Sequence, residues 1–332
     1  MDIRSLTVRV PAKLNLFLEI VRRRDDGFHE IDSLMAPISL RDQLSFHWRD
    51  DEQVRLQCTW NDAADGAEKN DFVENPASGS GVSPCDGTSG SGIPCDERNL
   101  VVQAIRAVLT ATGRRDGFDI TLVKRIPVES GLGGGSADAA ATLVAVNRLC
   151  GAPLSTAELA GLAAKLGSDV PFFLAGGVAR CGGRGEILEP VTGPAQPLHF
   201  VLIRPADGFS TATAYRLCRP AAVSGDRRKI DEMLDAWTID DPQRIGAALF
   251  NRFEPIVAAH SAGVRKTLER LRREPVCGAG MSGSGTCCFA LCHDAEQAMQ
   301  LARQLATEFP DARRIAAVSC PVAWNIAETP EP

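Results

Sequence analysis

The run Pro127-Val-Glu-Ser-Gly131-Leu-Gly133-Gly134-Gly135-Ser136-Ala-Asp-Ala-Ala-Ala141 lies between an alternating, strand-like segment and an alanine-rich, helix-like one. No other feature restricts the fold so strongly. Glycines at these positions let consecutive backbone N–H groups turn into one concavity, and the helix start that follows adds a partial positive charge. Strand, glycine turn and helix N-terminus in that order make a seat for an anion, above all a phosphate. Two common phosphate loops do not fit. No Gly-Lys-Ser/Thr follows, as a Walker A loop requires, and Ser136 stands where a dinucleotide fingerprint needs its last glycine.

The segments around this run define a mixed architecture. Apolar and polar residues alternate over 6–23, 41–49 and 54–60, which predicts antiparallel strands, with the polar loop DDGFHE (25–30) between the first two. Residues 61–97 carry eight acidic residues and one lysine in a Gly/Ser/Pro-rich stretch. Such a composition buries too little apolar surface to order itself, so 61–96 is expected to be a disordered insertion away from any cleft. Inside it, SGSGVSPCD and SGSGIPCD nearly repeat; Cys85 and Cys95 belong to these copies and form a pair only under oxidation. A helix over 98–112, a strand over 118–126 and a helix from Ser136 follow. Ser155 and Glu158 form an S-x-x-E capping box before LAGLAAKLG. Strands are expected at 171–175 and 198–204. Beyond 205 the pattern predicts helices at 229–237, 242–253, 256–273 and 295–309 and strands at 286–292 and 314–320. The fold class is therefore α+β, and 332 residues that are 44% hydrophobic suffice for two cores, divided here as 1–204 and 205–332.

Three further places carry polar residues in unexpected company. In Pro11-Ala-Lys13-Leu-Asn15-Leu-Phe17-Leu, strand alternation puts Lys13, Asn15 and Phe17 on one face, and an inward lysine needs an anion. In Gly167-Ser-Asp169-Val-Pro171-Phe-Phe a carboxylate stands at an element junction beside aromatics, as the orienting or deprotonating group of an acceptor hydroxyl would. A second glycine run, Gly278-Ala-Gly-Met-Ser-Gly283-Ser284-Gly-Thr286, precedes a strand, and two such loops suggest one shared cleft.

Composition excludes several other classes. A formal charge of −6 and only short basic clusters (22–24, 227–229 and 272–273) offer no surface for a nucleic acid. No run of about 18 apolar residues occurs, and Arg4 and Arg9 interrupt the N-terminal segment, so neither a membrane span nor a signal peptide is expected and the reading is cytoplasmic. The eleven cysteines are scattered through apolar segments as small hydrophobes, with no zinc-ligand spacing.

Together PAKLNLFLEI, DDGFHEIDSLM, IPVESGLGGGSADAAATL, GSDVPFFL and GMSGSGTCCFA resemble the GHMP kinases, over nearly the whole chain except 61–96. The resemblance implies an N-terminal domain like ribosomal protein S5 domain 2, joined to a ferredoxin-like C-terminal domain. It also implies transfer of the ATP γ-phosphoryl group, with Mg2+, to the 2-hydroxyl of a CDP-linked methylerythritol in non-mevalonate isoprenoid synthesis. Lys13 and Asp169 match the catalytic pair. Pro127, Gly131, Leu132, Gly133, Gly134, Gly135 and Ser136 match the nucleotide loop, and no metal ligand is assigned. Asn15, Phe28, His29, Thr213, Gly283 and Ser284 match substrate positions, His29 reading the cytosine edge and Phe28 replacing the usual tyrosine of its stack. A second stacking aromatic and the oligomeric state are not specified. The alternatives are another acceptor of the same family, such as homoserine, mevalonate or a sugar, and a non-catalytic ligand-binding relative.

Overall fold

The computed structural model describes residues 4–60, 93–218, 230–312, 314–321 and 325–327. Its frame is a long antiparallel hairpin of β1 (Ser5–Arg23) and β2 (His29–Arg49), paired from Ser5↔His47 to Arg23↔His29. The sequence pattern marks β2 only from Arg41. Its first half is buried on both faces and therefore shows no alternation. After β3 (Val54–Trp60), residues 61–92 lie outside the described residues, and with them most of the expected insertion 61–96 and Cys85 of the expected oxidised pair. The chain is described again from residue 93, and Ile93 and Cys95 already pack against the first core.

Helix α1 (Leu100–Thr112) begins at Asn99, whose side chain accepts from Val101 N, and ends at Gly113 in the left-handed conformation. Strand β4 (Gly117–Lys124) pairs antiparallel with β2 and parallel with β3. Helix α2 (Gly134–Leu149) is buried around nearly its whole circumference, which explains its alanines: small side chains let it lie close to its neighbours on several sides. The capping box of Ser155 and Glu158 opens α3 (Thr156–Leu166). Residues Val170–Ala175 form a short helix, α4, where a strand was expected. Pro171 favours that outcome, since in a first helical turn its missing N–H is not needed and its φ is already helical. Strands β5 (Ala179–Gly182) and β6 (Ile187–Pro190) extend the sheet from the far half of β2.

Strand β7 (Leu198–Arg204) belongs to a second sheet. Helix α5 (Thr211–Leu217) follows it, then α6 (Asp231–Ile239), α7 (Pro242–Ala248), the two-residue β8 (Phe250–Asn251), α8 (Glu254–His260) and α9 (Ala262–Leu271). The expected helix 242–253 thus stops early, because its last residues pair with Phe17 and Leu18 of β1. The expected helix 256–273 is two, divided at Ser261, which ends α8 and caps α9 through Val264 N. Strands β9 (Gly278–Met281) and β10 (Cys288–Cys292), helix α10 (Ala295–Glu308), β11 (Arg314–Cys320) and β12 (Asn325–Ala327) complete the described chain.

The second sheet runs β11-β7-β10-β9, antiparallel throughout. Its strands alternate cleanly. Phe200, Leu202 and Phe289 pack onto the β1–β2 hairpin through Leu14, Leu16 and Ile38, whereas Val201, Ile203 and Ala290 share the other core with residues of α9 and α10 such as Leu268 and Leu301. One end of the chain is shared: β7, before residue 204, pairs within the second sheet, while β8 and β12, after it, pair with β1. Among the ten described cysteines none is in a disulfide and nine are buried, and burial pushes the Cys287 thiol up to about 12.

Phe200 is fully buried and meets Phe289 edge-on at 5.8 Å. Replacing it by alanine is expected to lower unfolding stability by about 3–5 kcal/mol, measured by urea denaturation; a loss below about 1 kcal/mol, the cost of a minor surface change, would mean that the hairpin and second sheet do not share this core.

Candidate active site

The glycine run becomes the N-terminus of α2. Gly133 is its N-cap, with φ 74°, and no side chain caps the helix, so the first-turn N–H groups remain available. The loop is held by backbone on both sides. Gly131, with φ 76°, lies so close to the second glycine run that a Cβ there would sit 2.0 Å from the Ser282 carbonyl oxygen. Cys287 N donates to Ser130 O at 3.0 Å, and Ser282 Oγ donates to Gly131 O at 3.0 Å while accepting from Asn15 N at 3.1 Å. A Cβ on Gly133 would meet the Phe173 ring at 2.8 Å, so this position too admits only glycine. The two runs therefore touch, and both line one cavity of about 1240 Å³. A single small ligand needs roughly 300–1,000 Å³, so this volume suits two ligands side by side.

Lys13 and Asn15 stand in the cavity wall on β1. Lys13 is buried, and its Nζ donates to Asn15 Oδ1 and lies 3.5 Å from Asp169 Oδ2. Asn15 Nδ2 donates to Ser33 Oγ at 2.8 Å, and that hydroxyl donates to Phe17 O, which fixes the amide orientation. Asp169 is the N-cap residue of α4 but makes no capping hydrogen bond there, leaving its carboxylate, about 30% exposed, for the cavity. Phe17 does not share this face. The β1–β2 register shifts between Asn15 and Phe17, and this bulge turns Phe17 into the second core with Leu14 and Leu16 while Leu18 lines the cavity.

Around the pair two groups of residues gather. Pro127, Gly131, Gly133, Gly134, Gly135 and Ser136 line the cavity with Leu100 and Lys124, whereas Leu132 points into the second core and contributes its carbonyl to Lys13 N. The second group contains Phe28, His29, Arg23, Arg184 and Tyr215, with Gly283 and Ser284. His29 lies against Tyr215 with centroids 5.0 Å apart and ring planes tilted by 36°, and Tyr215 meets Phe253 edge-on at 4.7 Å. Tyr215 is thus the second aromatic of this wall. Thr213 does not line the cavity. Its hydroxyl accepts from Ser210 Oγ, while Thr211 and Tyr215, one turn apart on α5, face inward, with Thr211 Oγ1 2.7 Å from Ser284 Oγ. Burial and the nearby Arg23 charge lower the His29 pKa from its ordinary value, so the imidazole is neutral near pH 7, with one donor and one acceptor nitrogen.

With this geometry in place, the chain compares as follows with known proteins. Models of the GHMP kinases N terminal domain and the GHMP kinases C terminal match residues 99–177 and 230–311. A 4-diphosphocytidyl-2-C-methyl-D-erythritol kinase of Pelotomaculum thermopropionicum is 37% identical over 297 residues, covering 90% of this chain and 92% of its own. The chain belongs to the GHMP kinases. A relative of the same description from Deinococcus radiodurans is 37% identical over 302 residues, with coverage of 90% and 88%. A crystal structure of 4-(cytidine 5'-diphospho)-2C-methyl-D-erythritol kinase superposes with a TM-score of 0.73 at 29% identity, covering 96% of this chain and all of that one. A homoserine kinase from Cytophaga hutchinsonii shares the fold, with a TM-score of 0.68 at 19% identity over 98% of both chains. The GHMP kinase fold expected from the sequence, S5-like domain and ferredoxin-like domain, is the one observed.

One part of this GHMP kinase site went unread in the sequence. Lys124 Nζ donates to Asp42 and, at 2.8 Å, to Asp138 Oδ2, all three side chains being buried beneath the loop. A lone aspartate in the alanine run of α2 was the available signal. Asp42 also accepts the N–H groups of Arg125 and Ile126, whereas Asp138 Oδ1 is buried with no hydrogen-bond partner. Two carboxylates sharing one lysine away from water cannot both ionise cheaply. Burial accordingly pushes Asp138 up to about 8.

A carboxyl whose pKa is raised on folding adds stability below its unfolded value, near 3.9, and loses it as pH climbs through the folded value, here about 8. The wild type is therefore expected to lose Tm relative to Asp138→Asn as pH rises from 5 to about 9. Parallel Tm profiles for the two proteins would refute a protonated Asp138.

Proposed function

We propose that this GHMP kinase transfers the γ-phosphoryl group of ATP to the 2-hydroxyl of 4-diphosphocytidyl-2-C-methyl-D-erythritol, the compound that its relatives' names give as the kinase substrate. The observation that carries the reading is the Lys13–Asp169 pair, 3.5 Å apart, standing between a glycine loop and a wall of aromatic residues in one cavity. The uncapped N-terminus of α2 and the loop amides take the donor's triphosphate. Asp169 accepts a hydrogen bond from the acceptor hydroxyl, orients its oxygen towards the γ-phosphorus and takes the proton as the new P–O bond forms. Lys13 offsets the negative charge on the carboxylate and on the transferring group, and Asn15, held by Ser33, keeps the ammonium in position. Neutral His29 offers a donor and an acceptor to a cytosine edge, while Phe28 and Tyr215 supply stacking surface.

The donor set also fits magnesium. Mg2+ takes one or two protein oxygens and completes its shell with phosphate and water, and the cavity offers Ser136, Glu129 and Asp169 while the described residues hold no cluster of three or more metal-ligating side chains. Bound there, the ion would neutralise negative charge on the donor's phosphates. The expected division into an N-terminal ATP-binding unit (1–204) and a C-terminal unit (205–332) becomes part of this proposal with its boundary moved to before β7, because among the described residues β7 pairs only within the second sheet. A cytoplasmic location is likewise part of it; no helix of the described residues is long and apolar enough to cross a membrane.

The aromatic wall of His29, Tyr215 and Phe28 favours a base-bearing acceptor over homoserine, mevalonate or a simple sugar. ADP release measured against this panel is expected only with the cytidylyl compound, and Asp169→Asn is expected to lower kcat roughly 10²- to 10⁴-fold. Turnover of another alcohol instead would overturn the substrate, and an Asn variant as fast as wild type would overturn the role of Asp169.

A further inference from the structure

The cavity carries a second concentration of positive charge, apart from the glycine loop. Arg23, Arg184 and Arg216 line it beside Phe28 and His29. Two arginines elsewhere are tied into bidentate carboxylate pairs: Arg180 donates to both oxygens of Asp32, and Arg252 to both of Glu19. Arg184 is held differently. Its guanidinium lies over the Phe28 ring, 4.7 Å from the centroid, and its nearest carboxylate, Glu186, is 3.8 Å away and bonded instead to the Arg184 backbone N–H. Among the described residues no hydrogen bond occupies the fork. A guanidinium resting on a ring keeps its in-plane N–H groups free, and these match two phosphate oxygens at once.

The backbone aims this group. Arg184 sits in the tight turn between β5 and β6, flanked by Gly183 at φ 66° and Gly185 at φ 126°. Gly185 packs against the wall that carries the catalytic carboxylate: a Cβ there would lie 3.2 Å from Ser168 O and 3.6 Å from Asp169 Oδ1. A ligand reaching from Asp169 to Phe28 therefore passes Arg184.

We propose that Arg184 binds the diphosphate of a nucleoside-diphosphate-linked acceptor and determines specificity for it, while the loop Gly131 to Ser136 takes the phosphates of the donor. This inference rests on the acceptor reading given above. The test is titration calorimetry with CDP and with cytidine on the full chain, its donor site filled with ADP. Arg184→Met is expected to raise the Kd for CDP roughly ten- to a hundredfold, the loss of a charged hydrogen-bond pair, and to leave that for cytidine unchanged. Arg184→Lys should fall between, and Tm and ADP affinity should not move. In turnover the Met variant should raise the acceptor KM without changing that for ATP. An unchanged CDP affinity, an equal loss for CDP and cytidine, or a wild type that does not prefer CDP to cytidine would each overturn the role. Should the wild type phosphorylate a different alcohol, the substrate proposal falls, and the two titrations still decide whether Arg184 holds a diphosphate.

Discussion

Everything in the site depends on a backbone-to-backbone approach. Gly131 and Ser282 come closer than any side chain would allow, and one hydroxyl, Ser282 Oγ, joins β1 through Asn15 N to the phosphate loop through Gly131 O. Asn251 adds to this from β8, its Nδ2 donating to the carbonyls of Met281 and Gly283. Because both glycine runs are fixed to each other and to β1, Lys13 stands at a set distance from the loop. At the glycine runs the cavity wall is thus made of main chain, whose amides cannot be titrated or rotated away.

Charge in the cavity is arranged by burial as much as by residue type. Beneath the loop, Lys124 is shared by Asp42 and Asp138, so the ground under the phosphates is kept from accumulating negative charge by holding one proton. On the aromatic side, burial and the Arg23 charge lower the His29 pKa, and no hydrogen bond occupies the Arg184 fork among the described residues. In the proposed reading the two sides handle anions by different means: backbone dipoles for one ligand, a planar cation for the other.

What could be read from the sequence was what neighbouring residues dictate. The glycine run before alanines, the capping box at Ser155 and the polar Lys13 and Asn15 in an apolar strand each carry their signal within a few positions. What could not be read depends on distant partners or on phase. Asp42 and Lys124 meet across 82 positions, which no local pattern reveals. Thr211 rather than Thr213 faces the cavity because Ser210 caps α5 and so sets the rotation of the helix. The bulge after Asn15 reverses Phe17, and the double-sided burial of β2 erased the alternation that would have marked its first half. Arg184 carries no signal within its neighbours, because only the fold places it over Phe28.

Strand β12 pairs Asn325–Ala327 with Arg9, Val8 and Thr7, so β1 is flanked on that edge by residues made some three hundred positions later. During synthesis the strand that carries Lys13 and Asn15 can pair with β2 early, but on its other edge Phe17 and Leu18 wait for β8, and residues 7–9 wait for β12. A partly synthesised chain would therefore leave the stretch at residues 7–9 unpaired on this edge until residues 325–327 emerge, so completion of the edge of β1 follows long after its pairing with β2.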